Sequence, residues 1–182
     1  MKGVKKMIFD YCSCLFGIIK IFLYKIIYFN RIHFNTIPKV NSSIKLAIKN
    51  GSKLLFGVNF RCRNCVSFRL YDKSIVSIGN NCFFNDGCSI NARKKITIGN
   101  NVKFGHNVIV IDNDHDYKND MDNYVCDEIK IGNNVWIGAN CVILKGVTIG
   151  DDSIIAAGTI INKDVDCNTI VHNKLNVIHK EK

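Results

Sequence analysis

From Ile78 onward, a large apolar residue returns every six residues. The positions are Ile78, Phe84 and Ile90, then Ile98, Phe104 and Val110, then Ile131, Ile137, Ile143, Ile149, Ile155 and Ile161. A glycine often follows, as at Gly79, Gly99, Gly132 and Gly150, and the fifth place of each hexad holds a small residue such as Cys82, Cys88, Val102, Cys141 or Thr159. A period of six matches neither the 3.6 of an α-helix nor the two of a half-buried strand. It fits a chain that turns a corner every six residues, with short strands as the sides of a prism. Three hexads then make one coil, and the coils stack in parallel. The register slips by two residues after the Ile90 hexad and by fifteen between Val110 and Ile131, which marks residues 111–130 as an inserted loop.

The remaining residues agree with such a solenoid. Asn80-Asn81, Asn100-Asn101 and Asn133-Asn134 stand where corners fall, and asparagine and glycine tolerate the backbone angles of tight turns. Pro38 is the only proline, as expected where a proline would remove a ladder donor. Upstream, Phe56-Gly57, Phe60, Val66 and the run from Phe68 to Ile75 suggest further coils without a clear register. The fold class is therefore mainly β, a three-sided parallel solenoid, preceded by an amphipathic helix. We divide the 182 residues into a helical segment 1–35, a repeat domain 36–166 and a tail 167–182.

Charge is unevenly distributed. The net charge is +10, but residues 1–63 hold twelve Lys or Arg against Asp10 alone, and the rest is close to neutral. A domain built to bind nucleic acid would carry its positive charge along the repeat, so no nucleic-acid partner is expected. Nine cysteines cannot all pair within one chain. Cys82, Cys88 and Cys141 occupy small repeat positions, and Cys62-x-x-Cys65 lacks a second pair at zinc-ribbon distance. Asp112-x-Asp114-x-Asp116 imitates the start of a calcium loop, but Tyr117 and Asn123 replace its glycine and closing glutamate. No metal is expected.

Residues 1–30 read as a helix. Lys6, Asp10, Ser13, Gly17 and Lys20 fall on one narrow stripe, and nearly everything else from Met7 to Phe29 is apolar. Its longest uncharged run is nine residues, too short to span a bilayer. The helix either lies on a membrane surface as a peripheral contact or packs its apolar face on a subunit or on the main domain.

The stretches Val135-Trp136-Ile137-Gly138-Ala139-Asn140, Ile143-Leu144-Lys145-Gly146-Val147-Thr148-Ile149-Gly150 and Ala156-Ala157-Gly158 resemble the hexapeptide-repeat acyltransferases. Within them the chain looks most like the galactoside, maltose and nodulation-factor acetyltransferases and the bacterial polysaccharide O-acetyltransferases. The resemblance implies a left-handed parallel β-helix, a homotrimer, acetyl-CoA as co-substrate and sites between neighbouring subunits. It also implies residue roles. His115 falls at the family's catalytic histidine, and Asn85 at an asparagine that contacts the sugar acceptor. Trp136 and Ala139 match the acetyl and pantetheine channel, and Ala157, Gly158, Asn162 and Lys163 match positions further along the cofactor. Arg93 stands where the sugar enzymes often carry an acid, and the usual Gly-x-Pro-Ala near the C-terminus is replaced by His172-Asn173-Lys174-Leu175-Asn176.

These roles suit an O-acetyltransferase acting on a carbohydrate hydroxyl, in the cytoplasm or at the inner face of the cell membrane, in surface polysaccharide biosynthesis. An alcohol needs a positioned base to take its proton, and histidine serves this purpose near neutral pH. Asp112 or Asp114 is expected to hold the imidazole tautomer near the acceptor, and a backbone N–H near Gly138-Ala139 to meet the oxyanion. Other readings are an antibiotic, serine or sugar-amine acetyltransferase and, from a different class, a non-catalytic trimeric scaffold.

Overall fold

The computed structural model describes residues 2–71 and 73–173. Among these residues, after one helix, α1 (Lys2–Ile27), every strand but two belongs to one of three parallel sheets of six strands each. The first sheet runs from Ile32–Phe34 through Ile75–Ile78 to Thr148–Ile149, and the second from Arg61–Cys62 through Trp136–Ile137 to Ile170–Val171. The third runs from Lys45–Ile48 through Ile109–Ile111 to Ile160–Ile161. The chain visits first, second and third sheet in turn. That is the three-sided prism read from the hexads.

The core is the inside of the prism. All twelve hexad-opening residues are at most 3% exposed, and the small residues at the fifth place are buried beside them. Strand pairing fixes the coil lengths. Ile131 pairs with Ile149 and Ile137 with Ile155, eighteen residues on, whereas Leu54 pairs with Val76 and Phe68 with Ile90, twenty-two on. The early coils are longer because their third-sheet strands, such as Ser67–Leu70, have four residues where Val142–Ile143 has two. Wider coils need larger fillers, and Phe56, Phe60, Phe68, Phe84 and Phe104 supply them. Strands also pass the expected domain limits at both ends, since Ile32–Phe34 lies within 1–35 and Ile170–Val171 within the tail.

At the corner between the first and second sheets, glycine and asparagine divide the work. Asn81, Asn101 and Asn134 take the left-handed conformation, with φ of 58°, 60° and 56°. Their side chains form a ladder: Asn81 Nδ2 donates to Asn101 Oδ1 at 3.2 Å, and Asn101 Nδ2 to Asn134 Oδ1 at 2.9 Å. The glycine is needed for close approach instead. A Cβ on Gly99 would stand 2.6 Å from the Gly132 carbonyl oxygen, and backbone cannot step aside. Gly99→Ala is therefore expected to cost about 1–3 kcal/mol, read as a lower midpoint in thermal unfolding.

The helix packs at the N-terminal end of the prism, but not by its apolar face. Ser13, Gly17, Lys20 and Ile21 turn toward the solenoid. The Ser42 N–H donates to the Ser13 carbonyl at 3.1 Å, Lys20 Nζ to the Ser42 carbonyl at 2.9 Å, and Ile21 is fully buried. A side chain at Gly17 would collide with the Val40 carbonyl, so glycine admits the helix at this distance. The narrow polar stripe is the docking face, which removes one of the alternatives left open by the sequence, an apolar face packed on the main domain. Side chains before Cys12 lie outside the described residues.

The nine cysteines are unpaired. Burial pushes the Cys62 thiol up to about 12 and those of Cys82 and Cys88 to about 11. Cys65, by contrast, is exposed, so the two members of the CxxC face different surroundings. Among the described residues no cluster of three or more potential metal ligands occurs. Since the thiolate is the reactive form, alkylation of the native protein is expected to label exposed Cys12, Cys65 and Cys167 first. Cys62, Cys82 and Cys88 should react only on unfolding, and peptide mass spectrometry reads the order.

Candidate active site

The inserted segment is an antiparallel hairpin, Asn113–Asp116 against Asp120–Cys126, standing on the corner between the third and first sheets. Its root is Asp112. That carboxylate is fully buried, accepts the backbone N–H groups of Arg93 at 2.7 Å and Lys94 at 2.9 Å, and receives Asn113 Nδ2 at 3.1 Å. It can reach neither acceptor nor imidazole, so its expected place beside the substrate is corrected to that of an anchor. Asp112→Ala would strand two backbone donors, with an expected loss of about 1–3 kcal/mol and a lower unfolding midpoint.

His115 is exposed on the hairpin, and its Nδ1 lies 2.6 Å from the Met121 carbonyl oxygen. A carbonyl only accepts, so Nδ1 carries a proton, and in the neutral imidazole Nε2 is then the acceptor nitrogen. The tautomer is thus held by backbone rather than by Asp112 or Asp114. Asp114 is exposed, accepts the His115 N–H at 3.0 Å and lies 3.5 Å from Lys145 Nζ. The imidazole face is supported as well: the Tyr124 ring lies 4.5 Å from it, centroid to centroid. Tyr124 is held in turn by the Arg93 guanidinium, 3.4 Å from its ring centroid and 4.1 Å from that of Tyr71 on the solenoid. Arg93 thus clamps the hairpin to the coils by cation–π contact. Sequence reasoning missed Met121, Tyr124 and this use of Arg93. A backbone acceptor has no sequence signature, and the ring contacts depend on the hairpin register His115↔Tyr124.

A second set of residues meets at a different corner, between the second and third sheets. Asn85, Trp136, Ala139 and Ala157 line a groove of about 520 Å³ together with Gly105, His106, Gly138 and Ile154 to Ala156. Its lining is largely apolar, and Trp136 is 55% exposed at its edge. Gly138 spends its N–H on the Ile155 carbonyl at 2.7 Å. No such bond is made by the Ala139 N–H among the described residues, which leaves it available to a ligand. His106, assigned no role from sequence, sits in this groove 3.6 Å from Asp86 Oδ2. Gly158 is exposed beside it with its carbonyl accepting Asn173 Nδ2 at 2.9 Å. Asn162 and Lys163 do not join this groove. They follow Ile160–Ile161 onto the corner that carries the hairpin.

Within one chain, then, the base and the groove occupy different edges of the prism. A long, apolar, glycine-floored groove suits the pantetheine arm of a coenzyme thioester, and the exposed histidine suits proton removal.

Comparison with known proteins agrees. Residues 128–163 match the family model of the bacterial transferase hexapeptide (six repeats). Over 100 residues the chain is 39% identical to the galactoside O-acetyltransferase of Escherichia coli strain K12, a match covering 53% of this chain and 49% of that protein. Over 136 residues it is 24% identical to WbbJ of the same strain, a proposed lipopolysaccharide biosynthesis O-acetyl transferase, covering 68% and 69%. A solved galactoside acetyltransferase in complex with coenzyme A superposes with a TM-score of 0.52 at 28% identity, covering 76% of this chain and 58% of that one. The chain spans about half the length of the galactoside enzyme it matches in sequence. In repeat, fold and relatives alike, it resembles the hexapeptide-repeat acetyltransferases, and it carries their hexapeptide at residues 128–163.

Proposed function

We propose that this protein is an acetyl-CoA-dependent O-acetyltransferase acting on a sugar hydroxyl, as a homotrimer in the cytoplasm, in surface polysaccharide biosynthesis. The observation that carries the reading is His115, whose Nδ1–H is fixed by the Met121 carbonyl at 2.6 Å and whose Nε2 is free on an exposed hairpin. In the reaction Nε2 takes the hydroxyl proton as the sugar oxygen attacks the thioester carbonyl. In this reading the backbone N–H of Ala139, a residue that lines the groove, donates to the oxyanion. Collapse of the tetrahedral intermediate breaks the C–S bond, and the imidazolium returns its proton to the departing sulfur, so the base is regenerated. Neither a covalent enzyme intermediate nor a cysteine is required. The sugar and polysaccharide assignments are supported by similarity to a galactoside O-acetyltransferase and to a proposed lipopolysaccharide biosynthesis O-acetyl transferase.

The trimer is supported by the separation of base and groove onto two corners, since a copy rotated about a threefold axis can bring one chain's hairpin to its neighbour's groove. Turnover is read as free thiol released from acetyl-CoA over a panel of galactosides, maltosides and nucleotide sugars. The decisive test mixes two inactive proteins, His115→Ala and a groove-filled Ala139→Trp. If sites are shared between copies, random reassembly restores about a quarter of the sites. No restoration places base and groove of one chain in the same site, and no thiol release with any acceptor returns the protein to a scaffold. Trp136→Ala should raise KM for acetyl-CoA roughly tenfold, equivalent to about 1.4 kcal/mol of lost contact, with a smaller change in kcat.

A further inference from the structure

The docking of α1 by its polar stripe leaves its large apolar side chains facing outward. Seven of them between Leu15 and Ile27 are exposed by 41–73%, among them Phe16 at 62%, Leu23 at 53% and Ile26 at 73%, and Phe29 in the turn that follows is exposed by 76%. At 100° per residue, Leu15, Ile19, Phe22 and Ile26 lie opposite Ser13, Gly17 and Tyr24, so the bare face points away from the solenoid. Soluble proteins rarely leave so contiguous an apolar surface to water.

What covers it is indicated by charge. Nine Lys and Arg lie between Lys20 and Arg63, with no acid among them. Of these nine, only Arg63 has a carboxylate within 4 Å among the described residues, namely Asp86 at 3.9 Å. Lys20 and Lys25 sit on the flanks of the bare face. Lys20 is tied to the Ser42 carbonyl, and Lys25 Nζ lies 4.3 Å from the Phe34 ring centroid. A second copy on this face would bring like charge against like charge. Among the described residues no helix is long and apolar enough to cross a bilayer. We propose that α1 lies in the interface of an anionic lipid surface, with Phe16, Ile19, Leu23 and Ile26 below the headgroups and the unpaired basic residues of the first coils against them. This orientation would hold the solenoid by its N-terminal end. The inference rests on the helix and its surroundings, and stands or falls separately from acetyl transfer.

The test uses the full chain with phosphatidylcholine–phosphatidylglycerol vesicles and with phosphatidylcholine vesicles as the neutral control. Sedimentation should recover the protein with the anionic vesicles at least about tenfold more effectively than with the neutral ones, and added salt should weaken the binding. Phe16→Asp/Ile26→Asp, at exposed positions, should abolish vesicle binding while leaving unchanged the unfolding midpoint, the solution mass and the thiol release with a soluble acceptor. Equal recovery with neutral and anionic vesicles overturns the proposal, and so does a double variant that stays bound. A double variant of lower solution mass also overturns it, because the face is then covered by another copy.

Discussion

His115→Ala is expected to lower kcat for acetyl transfer by a factor of about 10²–10⁴, the usual worth of a positioned general base. KM for acetyl-CoA should change little, because the base takes its proton only as attack proceeds and makes no contact that ground-state binding of the cofactor needs. The unfolding midpoint should also hold, since the side chain is exposed and its one hydrogen bond, to the Met121 carbonyl, ties together two strands of the same hairpin. The neighbours give the result a second dimension. Tyr124→Phe keeps the ring that lies 4.5 Å from the imidazole and 3.4 Å from the Arg93 guanidinium, and should behave as the unaltered enzyme. Tyr124→Ala removes both contacts and should lower kcat without raising KM, as expected of a positioning residue. A His115→Ala protein with undiminished kcat on a good acceptor would overturn the base assignment. Loss of kcat on Tyr124→Phe would mean that the hydroxyl, rather than the ring, matters.

How far these residues could be foreseen depends on the kind of contact each makes. The prism was legible from Ile78 onward because one residue type recurs at a fixed interval and every occurrence meets the same core. It blurred upstream because the coils there are twenty-two residues long with four-residue strands, so an alternating pattern such as Lys45-Leu46-Ala47-Ile48 replaces the hexad. Asp112 stands three residues before His115, yet its carboxylate points back to Arg93 and Lys94, a choice made by the fold of the corner. The helix left its orientation open for a different reason. Amphipathicity says that two faces differ, and the wider apolar face is ordinarily the buried one. Here one glycine, Gly17, lets the backbone of the narrow stripe approach Val40 closely, and close approach outweighs area.

The second large effect concerns the column of rings inside the early coils. Phe84 is fully buried, stacks on Phe104 at 4.1 Å and 14°, and stands 5.5 Å from Phe60 and 5.9 Å from Phe68. Phe84→Ala removes a ring with neighbours above, below and across, and parallel ladders to Cys62 and Phe104 prevent the walls from closing in. The expected cost is therefore near the upper end for such a truncation, about 3–5 kcal/mol. For a chain of this length that lowers the unfolding midpoint by roughly 6–20 °C, at 2–4 °C per kcal/mol. Phe84→Leu refills most of the space and should cost well under half as much. Ile161→Ala, in the last complete coil with a coil on one side only, should also cost less, because neighbouring coils stabilise one another pairwise. Asn85 follows Phe84 directly into the groove, so Phe84→Ala should lose transfer activity at temperatures where Ile161→Ala retains it. Equal losses in the two variants would show that stability is spread along the prism rather than concentrated in its aromatic column.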